Sequence, residues 1–297
     1  MESNFIKWLE TVLPRQSAAL PGIGDDAAVW DCSHINQQVV TSDSLVDDIH
    51  FRSVDTALGR IGHKCLAASL SDLAAMCCRP KFAIVSLISP RDWSLTQLQD
   101  FYTGILSLAE QFDCRVIGGD FNTHTGPFTV NVTAIGESTP TTVRYRLGSQ
   151  AGDSVYVTGS LGGSLQGHHL DFIPRIEQGL LLGRDPAVHS VTDLTDGLVV
   201  DLNSMLAPAG RGAILDPDLV PLSPSAQSQS DPLTAALYDG EDFELIFTAC
   251  SEFNIQRFNA LSSVNATRLG QVDDVSGIRL KDHSNAPLML HPVGYSH

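Results

Sequence analysis

Residues 65–90 read CLAASLSDLAAMCCRPKFAIVSLISP. The first fourteen continue a helical pattern that begins near Asp55, and residues 81–88 form a strand bounded by Pro80 and Pro90. A helix running straight into a buried-type strand is the signature of an α/β chain, and the neighbours repeat it. Upstream, residues 38–41 are a short β-branched run. Downstream, residues 94–112 are amphipathic at helical spacing, and residues 114–117 and 128–135 are strands, the second alternating in FTVNVTAI. Residues 137–152, rich in Thr, Ser, Gly, Pro and Arg, read as a linker. The pattern then restarts with a strand at 154–158, helices at 172–182 and 198–206, and strands at 243–248, 267–272 and 278–280. Residues 216–231, DPDLVPLSPSAQSQSD, read as an exposed loop. Two α/β domains joined near residue 145 is the economical reading.

Composition narrows the function. The 297 residues include 34 Asp and Glu against 18 Lys and Arg, a formal charge of −16, and 43% are hydrophobic, enough for a substantial core. The acidic excess argues against nucleic-acid binding and against attraction to an anionic membrane surface. It also repels a phosphorylated substrate unless cations intervene. No stretch approaches the roughly 20 apolar residues of a membrane span. Glu2, Lys7 and Glu10 leave no signal-peptide core in residues 1–10. Six cysteines without a C-x-x-C spacing suit a reducing compartment, so the expectation is a cytoplasmic protein.

The acids are not evenly spread. They cluster as Asp25-Asp26 in GIGDDAA, Asp43 in TSDS, Asp72 in SLSDLAAM, Asp120 in VIGGD, Asp193 and Asp196 in DLTDG, and Glu241 in YDGEDFE. Glycine or a small hydroxyl residue flanks most of them, a pattern that places carboxylates on turns at element ends. Asp72 is the lone side chain between Cys65 and Cys78 that is charged at neutral pH. Either it faces solvent on a polar stripe with Ser69 or makes a hydrogen bond to a helix N-terminus, or a cation or cationic group compensates it. Hard oxygen ligands of this kind suit Mg²⁺ or Ca²⁺, and the EF-hand loop is absent. Zinc spacing is absent as well, and His168-His169 does not make a site because neighbouring side chains diverge. Mg²⁺ on several carboxylates holds a polyphosphate in many enzymes, yet no P-loop, kinase catalytic loop or dinucleotide fingerprint is present. If ATP binds, metal ions must do the work of a P-loop lysine.

Taken in order and spacing, GIGDDAAV, TSDSLVDDIHF, SLSDLAAM, VIGGD, DLTDGL and YDGEDFEL resemble the thiamine-monophosphate kinase family, over nearly the whole chain. The wider superfamily includes aminoimidazole ribonucleotide synthetase, selenophosphate synthetase and a hydrogenase-maturation protein. The resemblance implies an α/β (α+β) chain of two domains. Residues 1–140 would be a mixed sheet with helices that binds ATP and magnesium and forms a homodimer; residues 150–297 would be a C-terminal α/β domain. It implies transfer of the ATP γ-phosphoryl group to thiamine monophosphate. By position, Asp26, Thr41, Ser42, Asp43, Asp72, Asp120, Asp193 and Asp196 would hold Mg²⁺. Gly119, Asp120, Arg146 and Thr195 would line the ATP site, and His50, Glu241 and Tyr295 the substrate pocket. No side chain is expected as nucleophile or acid/base, because the acceptor phosphate oxygen is already anionic. Cys77 and Phe121 depart from the family's Gly and Thr, while Pro174-Arg175 resembles a pair the family keeps in a segment that is shortened here. The alternatives are another ATP-dependent enzyme of the superfamily and a non-catalytic Mg-nucleotide-binding protein.

Overall fold

The helical run and the strand after it become the frame of the first half. A computed structural model describes residues 28–32, 36–138, 142–282 and 287–292. Strands β1 (Ala28–Cys32) and β2 (Asn36–Val46) precede helix α1 (Leu58–Ala75). Then come β3 (Arg79–Pro90), α2 (Leu95–Gln111), β4 (Arg115–His124) and β5 (Thr129–Ser138). The strands form one sheet in the order β1-β2-β5-β3-β4. Neighbours are antiparallel except β3 and β4, which run parallel because α2 carries the chain back between them. Helix α2 begins on a capping box. Ser94 Oγ accepts from Gln97 N–H, and Gln97 Oε1 accepts from Ser94 N–H. Phe101, Ile105, Leu108 and Ala109 bury its inner face at helical spacing.

The second half contains β6 (Ser154–Thr158), the short helices α3 (His168–Asp171) and α4 (Ile176–Leu182), β7 (Val188–Asp193) and α5 (Leu198–Leu206). Then follow β8 (Gly212–Leu215), α6 (Pro224–Gln227), α7 (Pro232–Tyr238), β9 (Leu245–Ala249) and α8 (Ile255–Leu261). The last described elements are β10 (Ala266–Asp273), β11 (Gly277–Leu280) and β12 (Leu288–Leu290). Its sheet has the order β12-β11-β8-β10-β6-β9-β7, antiparallel except where β8 meets β11. Two sheets with helices packed on them agree with the α/β (α+β) expectation.

What joins the halves is α1. It packs on β2, β3, β5 and α2 on one side and on α3, α4 and β7 on the other. Twelve of its eighteen residues are therefore buried, Lys64, Ser69 and Ser71 included. Small residues make this close approach possible. A Cβ on Gly104 of α2 would fall 1.7 Å from the Gly59 carbonyl O, and one on Gly179 of α4 would fall 2.2 Å from the Ala74 carbonyl O. One apolar cluster runs from Val39 and Phe101 through Leu70 and Leu73 into Phe172, Ile176, Val191 and Phe247; a second stays within the second half. The core thus crosses the boundary between the two halves.

Several sequence expectations are corrected. Asp43 and Asp120 lie inside β2 and β4, not on turns at strand ends. The glycines of VIGGD do not end the strand, because β4 stays paired with β3 as far as Pro90 and His124. Gly119 serves close approach instead: a Cβ there would sit 1.8 Å from Val85 O. The helix expected at 172–182 starts only at Ile176, as α4, since Pro174 disfavours helical backbone before it; the separate short helix α3 ends at Asp171. Residues 216–231 are not a bare loop. Their Pro and Ser are helix-starting chemistry, with Pro224 in the first turn of α6 and Ser223 Oγ accepting from Ala226 N–H at 2.9 Å, and Ala226 is buried.

Candidate active site

Strand alternation sorts the TSDS motif. Thr41 and Asp43 face α1, and Ser42 faces the other side, where it bonds Asn131 and Thr133. Helix α1 answers with Ser69, Ser71 and Asp72. Thr41 Oγ1 donates to Asp72 Oδ2, and Ser69 Oγ donates to Asp43 Oδ2 at 2.5 Å. Ser71 Oγ donates to Asp193 Oδ2 at 2.6 Å, and Asp193 closes β7 in the second half. Three hydroxyl–carboxylate pairs thus line α1 where it passes between the two sheets. Asp72 is half-buried, and the Thr41 hydroxyl donates to it.

The DLTDG turn follows β7 and leads into α5. Asp201, in the first turns of α5, accepts the Thr195 and Asp196 N–H groups on Oδ2 at 3.0 Å each, so it sets the shape of that turn. Its carboxyl is held well above the ordinary carboxylate range by burial first, then by the charges of Asp196 and Asp193, with Arg146 opposing. Asp193, Asp196, Asp201 and Arg146 are therefore close neighbours with more negative than positive charge. Asp120 stands apart on exposed β4, where Asn122 Nδ2 donates to it at 2.9 Å. Among the described residues no three His, Cys, Asp or Glu side chains converge tightly enough to form a metal cage. The donors are all hard oxygens, as Mg²⁺ requires, and the charge crowding at Asp201 is what a bound cation would relieve. Asp26 and Tyr295 lie outside the described residues.

A cavity of about 450 Å³ opens beside this arrangement. The 48–56 segment, with His50 and Arg52, forms one wall; Leu165, His169 and Glu241 of the second half line the other. Val46 N–H donates to His50 Nδ1 at 3.0 Å, so the neutral ring carries its proton on Nε2. At the rim Arg60 holds Asp171 with both Nε and Nη2. One turn further along α1, Lys64 Nζ donates to Glu241 Oε2 at 2.6 Å and to the His50 carbonyl at 2.7 Å. His63 Nε2–H reaches the Phe172 carbonyl at 2.8 Å between them. Burial lowers the His169 imidazole, with Lys64 adding to the effect, so the ring is neutral at pH 7.

Glu241 sits on a strained turn. Gly240, Glu241 and Phe243 have φ of +73°, +54° and +50°. Such backbone on residues other than Gly costs of order 1 kcal/mol each and persists only when neighbours fix it. Here Glu241 N–H is held by Thr195 O at 2.8 Å, Ser164 Oγ donates to Glu241 O at 2.5 Å, and Phe243 stacks on Phe172 at 3.9 Å. The same turn presents Glu244 to Arg175, which grips it with two nitrogens, and Thr158 Oγ1 donates to it at 2.6 Å. The Pro174-Arg175 pair therefore serves the YDGEDFE turn directly.

Family models for AIR synthase related protein match both halves, the N-terminal domain over residues 24–138 and the C-terminal domain over residues 150–283. Thiamine-monophosphate kinase of Rhodopirellula baltica is 35% identical, across 100% of this chain and 97% of its own length. This chain belongs to the thiamine-monophosphate kinase family. Among solved structures, the thiamine-monophosphate kinase of Stenotrophomonas maltophilia is 32% identical with a TM-score of 0.77, covering 93% of this chain and 94% of that one. AaThiL complexed with AMPPCP and TMP is 25% identical with a TM-score of 0.83, covering 97% and 96%. Of the motifs that resemble this family, TSDSLVDDIHF, SLSDLAAM, DLTDGL and YDGEDFEL supply the α1 carboxylates, the DLTDG turn and the cavity just described. VIGGD stands apart on β4, and the acids of GIGDDAAV lie outside the described residues. Sequence reasoning missed Lys64 and Asp201. Asp201 had a signal, an acid in the first turns of a helix entered from an acidic turn. Lys64 had none, because its partners are distant in sequence.

Proposed function

We propose that this chain transfers the γ-phosphoryl group of ATP to thiamine monophosphate, giving thiamine diphosphate and ADP. The observation that carries the reading is the full-length similarity to thiamine-monophosphate kinases at up to 35% identity. The cavity supports it, since His50 and Glu241 reach one space from opposite halves of the chain. The acceptor is an anionic phosphate oxygen, so no side chain has to remove a proton. The protein's task is to bring two anions into line and keep water out. His50, with its proton on Nε2, is suited to donate to a phosphate oxygen. Glu241 offers a carboxylate to the cationic thiazolium or the aminopyrimidine. Gly119, Asp120, Arg146 and Thr195 line the nucleotide site in this reading.

Magnesium, when bound, neutralises phosphate charge and orients the transferred group. Asp26, Asp43, Asp72, Asp120, Asp193 and Asp196, with Thr41 and Ser42, are the residues that would hold it. We assign residues 1–140 to nucleotide binding and dimer formation and residues 150–297 to the second domain, in a cytoplasmic homodimer. Support for the dimer comes from β4, an edge strand that exposes Ile117 and Phe121. No helix of the described residues is long and apolar enough to cross a membrane.

Incubation with ATP, MgCl₂ and thiamine monophosphate yields thiamine diphosphate, read by chromatography. Absence of product with every divalent metal overturns the reading. Asp72→Asn lowers kcat by about 100-fold or more while the variant melts no lower than the parent in EDTA. A near-normal kcat removes Asp72 from the metal set.

A further inference from the structure

Lys64 is buried to 1% side-chain exposure in a chain that carries only four lysines. An ammonium taken out of water survives only where oxygens replace its hydration shell. Here the replacements are the His50 carbonyl and Glu241 Oε2, and both residues line the cavity, one from each half. The carboxylate is thereby divided. Oε2 is fixed on Lys64, and Oε1 takes no hydrogen bond among the described residues while Glu241 lines the cavity. The pair also restrains the strained YDGEDFE turn from the opposite half. Arg60 and Asp171 repeat this bridge at the exposed rim, but there water competes for both partners.

We infer that Lys64 is a positioning residue for the substrate pocket. It holds the His50 backbone and the ligand-facing oxygen of Glu241 at one separation across the two halves, and so sets affinity for a phosphate ester bearing a fixed cationic ring. The inference rests on the assignment of His50 and Glu241 to the substrate pocket. A pair that served stability alone would leave the Michaelis constants unchanged.

The test compares the full-length parent with K64M, K64R, E241Q and K64M/E241Q under steady-state kinetics with thiamine monophosphate and with ATP. K64M raises KM for thiamine monophosphate about tenfold or more, while KM for ATP changes by less than about threefold. K64R restores part of the loss. K64M/E241Q is no worse in KM for thiamine monophosphate than E241Q alone, because Lys64 acts through Glu241. The inference is overturned if K64M alters only the melting temperature, if both Michaelis constants rise together, or if the two single effects multiply in the double variant. Should K64M fail to fold, K64R carries the test: it keeps a cation beside Glu241 but changes the reach of the bridge. KM for thiamine monophosphate then rises while KM for ATP does not, and an unchanged KM for thiamine monophosphate overturns the inference. If E241Q leaves KM for thiamine monophosphate unchanged, the pocket assignment itself fails. If E241Q raises it and removing Lys64 does not, only the role of Lys64 fails.

Discussion

Asp242 shows how much the second half tolerates in order to shape one turn. It is 3% exposed, its Oδ1 accepts Gly162 N–H at 2.9 Å, and its Oδ2 is buried with no hydrogen-bond partner among the described residues. Burial pushes its carboxyl up to about 8, with Glu244 and Asp239 adding to the shift and the Gly162 bond opposing it. In the unfolded chain the group titrates near 3.8. Between about pH 4 and pH 8 the native state therefore keeps a proton that the unfolded state has released, and stability falls as pH rises through that window. Asp242→Asn removes this proton exchange. Urea unfolding without metal should show the variant's midpoint changing less between pH 5 and pH 8 than the parent's. An unchanged slope would mean that Asp242 is ionised in the native state.

At the scale of elements, the contact between α1 and α2 depends on an absent side chain. Gly104→Ala would drive a methyl into the Gly59 carbonyl, and neither backbone can yield inside a packed pair of helices. The variant should lose more than about 2 kcal/mol in urea denaturation, and KM for thiamine monophosphate should be unchanged in the molecules that fold. Sequence periodicity read these elements well where the signal was local. Ser94 and Gln97 announce the start of α2, the alternation of FTVNVTAI announces β5, and residues 198–206 form α5 as expected. It failed where partners decide. The glycine pair before Asp120 looks like a turn until β3 is seen beside it, and the prolines after residue 216 look like a loop until their caps are counted. At the site, Asp43, Asp72, Asp193 and Asp196 were legible because small polar neighbours set each apart. Lys64 was not, since a lysine among Leu, Ala and Cys carries no local mark of an acid that arrives 177 positions later.

For the whole molecule, the charge of −16 is a statement about conditions. Carboxylates gathered between the two sheets repel one another without cations, so saturating Mg²⁺ with ATP should raise the melting temperature by roughly 5 °C or more. EDTA should abolish the shift. A melting temperature indifferent to Mg²⁺ would contradict a metal site built from these acids. The placement of α1 also has a consequence for biosynthesis. A ribosome releases α1 long before the segments that cover its second face, for Gly179, Asp193 and Glu241 are still to be made. During that interval the nascent first half displays a face, with Leu70, Leu73, Ala74, Ser71 and Lys64 on it, that is suited to burial and has nothing to bury it. The second half condenses onto a helix that is already waiting. The order of translation therefore makes the first half a template, and a chain stalled near its midpoint is the form most exposed to misassembly.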